Sequence, residues 1–148
     1  MHTTIDTSLF APWEMIQTVS AFTDLFLVDL KLMDNAAHQL YTGVSNEIIL
    51  DNIRRLATLD ASIIIRIPII PNVTDSNENI SQTISFLKTM NGKIREVHLL
   101  PFHNTAKGKY VRVGKANPFS NLKSLEKEEI KEVEQQYVNA GFLVKIGG

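Results

Sequence analysis

The sequence has no cysteine among its 148 residues. That absence excludes disulfides, thiolate nucleophiles, and any zinc or iron–sulfur site ligated by cysteines of this chain. Neither charge is in excess: fifteen basic residues face sixteen acidic ones, for a formal net charge of -1. A surface that coats nucleic acid is not expected from that balance. No apolar run approaches the roughly 20 residues that span a bilayer, so no membrane segment is expected. The opening MHTTIDTSLF carries neither the basic nor the apolar region of a signal peptide, and the cytoplasm is the expected location. What remains is ordinary globular composition, 44% hydrophobic and 21% charged. Residues 1–148 are long enough for one domain with a core of its own.

Strand-like and helix-like stretches alternate. HTTIDT opens as a short β-rich piece, and Pro12 to Phe22 has helical character. LFLVDLK (Leu25 to Lys31), SIIIRIPII, REVHLLP and the closing FLVKI read as strands. In NEIILDNIRRLATL, the residues Ile48, Ile49, Asn52, Ile53 and Leu56 fall on one helical face, with Ser45 or Asn46 as the cap. Ser76 caps a second helix that runs to about Met90 with Ile80, Ile84 and Leu87 along one side. A third, Ser124 to Ala140, buries Ile130, Val133 and Tyr137 and stops at Gly141. Alternation of this kind predicts an α/β fold with a parallel sheet, either doubly wound or part of a (β/α) barrel. A whole barrel usually takes about 250 residues. The chain starts almost inside a strand, which is the expectation for a fragment. The longest irregular stretch, Asn104 to Asn121, reads as a functional loop.

Ligands of parallel sheets bind at the carboxyl ends of the strands. Four such ends here are polar: Asp6-Thr7, Asp29 and Lys31, Arg66, and His103. Asp29 and Lys31 share a face by period two, and Arg66 shares its face with Ile64 and Pro68. Two carboxylates, two cations and an imidazole at one mouth suit a zwitterionic ligand bearing an amine, a carboxylate and a ribose. Each residue also has a plainer reading. Asp6-Thr7 can cap a turn, Asp29 and Lys31 can pair at the surface, His103 can be a loop histidine, and Lys107 and Lys109 can simply be solvated. Arg66 among isoleucines is the hardest to dismiss, since buried arginines have partners. His98, inside a strand, reads as packed. The four histidines show no metal-ligand spacing, Gly147-Gly148 lacks a phosphate-loop context, and no nucleophile elbow is present.

Six stretches then fall into one register: HTTIDT, DLFLVDLKLMD, YTGVSNEIILDNIRRL, IRIPIIPNVTDSNENI, LLPFHNTAKGKY and VKIGG. With them the chain resembles the C-terminal part of the glycyl-radical-enzyme activating enzymes, in the radical S-adenosylmethionine group. The resemblance implies the C-terminal half of a partial (β/α) barrel with parallel strands. It implies an oxidoreductase in which a [4Fe–4S] cluster, fed by an electron donor such as flavodoxin or ferredoxin, reduces S-adenosylmethionine. The 5′-deoxyadenosyl radical so formed takes a hydrogen atom from a glycine of a partner such as pyruvate formate-lyase. Carried over residue by residue, Asp6, Asp29, Lys31, Arg66 and His103 contact the cofactor, His103 at the adenosine end. Asp6, Thr7 and Asp29 correspond to positions that hold a monovalent cation. The chain departs from the family in four places. The CxxxCxxC cluster motif is absent, as is the glycine-rich segment that grips the cofactor's amino group; Leu9 stands where a glycine is usual, and Ala106 replaces another. This chain alone is therefore expected to be inactive. The alternative is a non-catalytic module that binds the cofactor, or a partner protein through the loop Asn104 to Asn121.

Overall fold

The structure is a computed structural model that describes residues 1–102 and 123–147. His103, Ala106, Lys107, Lys109 and the loop 104–121 lie outside the described residues. Five runs rich in β-branched and leucine residues form strands: β1 Thr4–Thr7, β2 Leu25–Asp29, β3 Ile63–Ile69, β4 Glu96–Pro101 and β5 Leu143–Ile146. They pair in sequence order, all parallel, into an open sheet. The helices are α1 Trp13–Ser20, α2 Asn35–Thr42, α3 Glu47–Thr58, α4 Asn77–Lys88 and α5 Lys127–Asn139. The α/β reading holds, and the sheet is a partial barrel that does not close.

Period-two alternation divides the sheet into two unlike faces. Phe26, Val28, Ile65, Ile67, Val97 and Leu99 are buried in a single core with Ile53, Leu56, Ile80, Leu87 and Tyr137 from the helices. Their alternates, among them Leu27, Asp29, Ile64, Arg66, Pro68 and His98, are only half-buried. The helices thus cover one face, and the other is the concave side of the partial barrel. Burial of the core side chains, worth about 1.5–3 kcal/mol each, drives the assembly.

The caps follow local chemistry. The Ser76 hydroxyl accepts from Asn79 N–H at 3.1 Å and starts α4 as expected. Gly141, at φ 98, turns the chain out of α5 as expected. Several details differ from the sequence reading. Ile48 is exposed rather than part of the buried stripe of α3. Ile130 is only half-buried, and α5 starts at Lys127 rather than Ser124. Of the two cap candidates of α3, Asn46 stands at the N-cap without a capping bond, while Ser45 Oγ accepts from Glu47 N–H at 3.2 Å. Helix α2 was not anticipated, although its signals are present: Asp34 accepts from Ala37 N–H at 2.7 Å, and Gly43 ends it at φ 82.

Candidate functional site

Register brings the polar strand ends together. In the parallel ladder Asp29 lies beside Arg66, and Arg66 beside His98. Asp6 lies beside Leu27, one pleat from Asp29 and on the same concave face. From the centre of this row the Arg66 guanidinium reaches both carboxylates. Its Nη2 donates to Asp6 Oδ1 at 2.6 Å and to Asp29 Oδ1 at 2.9 Å, and its Nε donates to Asp29 Oδ1 at 3.0 Å. Lys31 Nζ stands 3.7 Å from the other Asp29 oxygen. The Arg66 side chain is the most enclosed of the four at 18% exposure, and Asp6, at 58%, forms the outer rim. Burial alone would lower the Arg66 pKa. The hydrogen bonds and charges of Asp29 and Asp6 outweigh it, so the net shift is upward and the guanidinium stays charged.

The structure therefore brings Asp6, Asp29, Lys31 and Arg66 into one cluster drawn from three strand ends. Thr7 belongs to the opposite face of β1, and its Oγ1 accepts from Leu9 N–H at 2.9 Å. Leu9 itself is fully buried at φ 58, so it takes up the left-handed backbone that a glycine would favour.

A second polar group continues the row across β4 and β5. Glu96 Oε1 lies 2.7 Å from His98 Nε2 and accepts from Lys145 Nζ at 2.7 Å. The lysine first, then the histidine, hold the Glu96 carboxyl below its ordinary range against the opposing effect of burial. His98 is largely enclosed, as expected, but it sits on the concave face beside Arg66.

Sequence reasoning did not single out the residues that hold this mouth in shape. Three buried asparagines, Asn46, Asn52 and Asn79, hydrogen-bond the loops that follow β1, β2 and β3. One signal was available: Asn52 lies in the stripe shared by Ile49, Ile53 and Leu56, where a carboxamide has no reason to be unless it has partners.

As a donor set, the mouth offers carboxylates and cations side by side, suited to a zwitterion. It offers nothing to an iron–sulfur cluster, because the chain has no thiolate. Among the described residues, no three His, Asp or Glu side chains stand close enough to hold a metal ion. Nor is any helix among them long and apolar enough to cross a membrane.

No protein-family model matches the chain. Individual proteins do. The chain is 40% identical to the trans-4-hydroxy-L-proline dehydratase activating enzyme of Clostridioides difficile, over 100% of this chain and 49% of that protein. It is 41% identical to the (2S)-3-sulfopropanediol dehydratase activating enzyme of Klebsiella oxytoca, over 83% of this chain and 39% of that protein. The chain thus spans half or less of the length of these curated relatives. Among solved structures, a domain of pyruvate-formate lyase-activating enzyme from Bacteroides vulgatus matches with a TM-score of 0.81 and 31% identity. That match covers 100% of this chain and 82% of the other. Sequence likeness over the whole chain and the same partial barrel agree: the chain belongs to the glycyl-radical-enzyme activating enzymes of the radical S-adenosylmethionine group.

Proposed function

We propose that this chain is the C-terminal part of an activase that installs a glycyl radical on a partner enzyme, and that its concave mouth receives S-adenosylmethionine. The observation that carries the reading is the Arg66 guanidinium set between Asp6 and Asp29, with Lys31 alongside. The methionine end of the cofactor bears an ammonium, a sulfonium and a carboxylate. Asp6 and Asp29 would face its positive groups, and Lys31 and Arg66 its carboxylate. His103 would lie at the adenosine end. A monovalent cation at Asp6 and Asp29 would share the two carboxylates with Arg66, whereas the Thr7 hydroxyl, on the opposite face of β1, would take no part in holding it.

When bound beside a reduced cluster, the cofactor supplies the radical chemistry. The residues of this chain bind and orient it and keep its charges compensated in a half-enclosed site. With no cysteine to hold a cluster, this chain performs no radical step by itself. The partners that complete the reaction are a glycyl radical enzyme as protein substrate and an electron donor such as flavodoxin or ferredoxin, in the cytoplasm. Residues 1–148 act as one domain in this reading.

The test is a full-length activase carrying this chain. Asp29→Ala or His103→Ala should weaken S-adenosylmethionine binding about tenfold or more, the loss expected for one charged hydrogen bond in an enclosed site. Activation of the glycyl radical enzyme should slow with it. Binding and activation unchanged in both variants would overturn the assignment. Binding by the chain without activation in any full-length setting would favour the cofactor-binding module instead.

A further inference from the structure

The sheet ladder carries Asp6, Asp29 and Arg66, but it ends before Lys31. The last backbone bond from β2 to β3 is Leu30 N–H to Arg66 C=O at 2.9 Å. Beyond it residues 31–33 have left the ladder, and four of their six backbone groups, Lys31 C=O, Leu32 C=O, Met33 C=O and Met33 N–H, find partners elsewhere. All four are taken by two side chains. Asn79 Nδ2 donates to Lys31 C=O at 3.1 Å, and Asn79 Oδ1 accepts from Met33 N–H at 2.9 Å. Asn46 Nδ2 donates to Leu32 C=O at 3.0 Å and to Met33 C=O at 2.8 Å.

The same device recurs at the neighbouring loops. After β1, Asn52 Nδ2 donates to Leu9 C=O and Ala11 C=O, both at 2.8 Å. After β3, the second N–H of Asn79 goes to Thr74 C=O at 3.0 Å, so one carboxamide ties the β2 loop to the β3 loop. The Thr74 hydroxyl extends the tie, donating to Pro68 C=O at 2.6 Å and accepting from Ile70 N–H at 2.7 Å. Asn46, Asn52 and Asn79 are 2%, 1% and 6% exposed, so water does not compete for these bonds.

The residue type matters. A carboxamide offers two N–H donors and one carbonyl acceptor on a short stem. Aspartate offers only acceptors and would face carbonyls, serine offers a single donor, and leucine offers none. Asparagine is the smallest side chain that satisfies two carbonyls at once.

We infer that Asn46, Asn52 and Asn79 are positioning residues for the mouth: by clamping the strand-end loops they fix Lys31 against Asp29, and Asp6 within reach of Arg66. Lys31 lies in the clamped segment itself, its C=O held by Asn79 while its side chain faces Asp29. Asp6 lies in β1, three residues before Leu9, where the Asn52 clamp begins. The clamps touch no ligand and act through these four residues.

The decisive experiment reads the mouth directly, without ligand, by carboxyl-carbon NMR of Asp29 and the Nε–H signal of Arg66 in this chain. Asn79→Ala should move the Asp29 signal as far as Lys31→Ala does, and the double variant should move it no further. Ile53→Val, which loosens the core without touching the loops, should leave both signals in place. A folded Asn79→Ala protein with unmoved Asp29 and Arg66 signals would overturn the inference. If Asn79→Ala does not fold, Asn46→Ser, which trims the clamp to a single donor, is read by the same criteria.

The second arm rests on the proposed cofactor reading. In a full-length activase carrying this chain, Asn79→Ala should raise KM for S-adenosylmethionine about tenfold with kcat little changed. In the Lys31→Ala background it should add nothing. Additive effects of the two substitutions would overturn the inference. Failure of the unaltered protein to bind S-adenosylmethionine would sink the cofactor reading alone, and the Asp29 signal would still decide the clamp.

Discussion

Leu9 shows at a single residue how a departure from a family pattern can keep the backbone path. A non-glycine residue in the left-handed region costs about 1–2 kcal/mol. Here the cost is offset because the side chain is fully buried in the core. Truncating a buried leucine costs about 2–5 kcal/mol. Two variants separate the contributions. Leu9→Gly loses the packing but relieves the backbone, for a net destabilisation of about 1–3 kcal/mol. Leu9→Ala loses the packing and keeps the strain, so it should be the worse of the two by about 1 kcal/mol. Urea denaturation of both proteins gives the order directly. Alanine better tolerated than glycine would mean that residue 9 does not hold a left-handed conformation in solution.

At the scale of elements, β5 joins β4 through a parallel ladder and one ion pair. It is a four-residue edge strand with two exposed apolar side chains, Leu143 and Ile146. Its Lys145 reaches across to Glu96 on β4. The Glu96 carboxyl is held below its ordinary value of 4.5, by Lys145 first and His98 next. A group depressed in the folded state stabilises above its unfolded pKa. That contribution is therefore full above 4.5 and is lost as pH falls through 4.5 and then through the lower folded value. Lys145 is largely exposed, so solvent screening limits the pair to about 1 kcal/mol or less. Glu96→Gln should flatten the acid limb of the stability curve and speed amide exchange in Leu143–Ile146 before the other strands. An acid limb as steep as in the unaltered protein would remove Glu96 as its source.

The same scale shows what was legible in the sequence. The strands were readable because isoleucine and valine runs have few other places to go. Period two put Asp29 with Lys31, and Arg66 with Ile64 and Pro68, but only the strand register sets Asp29 beside Arg66. Helix α2 escaped notice because its eight residues bury only His38, too little for an amphipathic stripe. The asparagine clamps were harder still. Their partners are backbone groups up to 48 residues away, and backbone carries no sequence signature.

At the level of the whole molecule, two surfaces bear on how the chain behaves in solution, the edges of the open sheet and the exposed apolar side chains of α1. Among the described residues, β1 and β5 each leave one side unpaired. Both strands have only four residues, and short edges are poor templates for strand addition. Helix α1 is the stronger adhesive. Met15, Val19 and the following Phe22 lie at helical spacing and are exposed, Phe22 by 76%. Burying one such side chain contributes about 1.5–3 kcal/mol. Three of them stay well below the area of a stable interface, once the entropy of association is subtracted. The chain should therefore self-associate weakly, in roughly the micromolar to millimolar range, rather than form a tight dimer. Sedimentation velocity over a concentration series should show the weight-average mass rising above 16.6 kDa, and Phe22→Glu should suppress the rise. A mass that rises equally in the Phe22→Glu protein would shift the contact from α1 to the strand edges. A mass constant at every concentration would show that neither surface is adhesive.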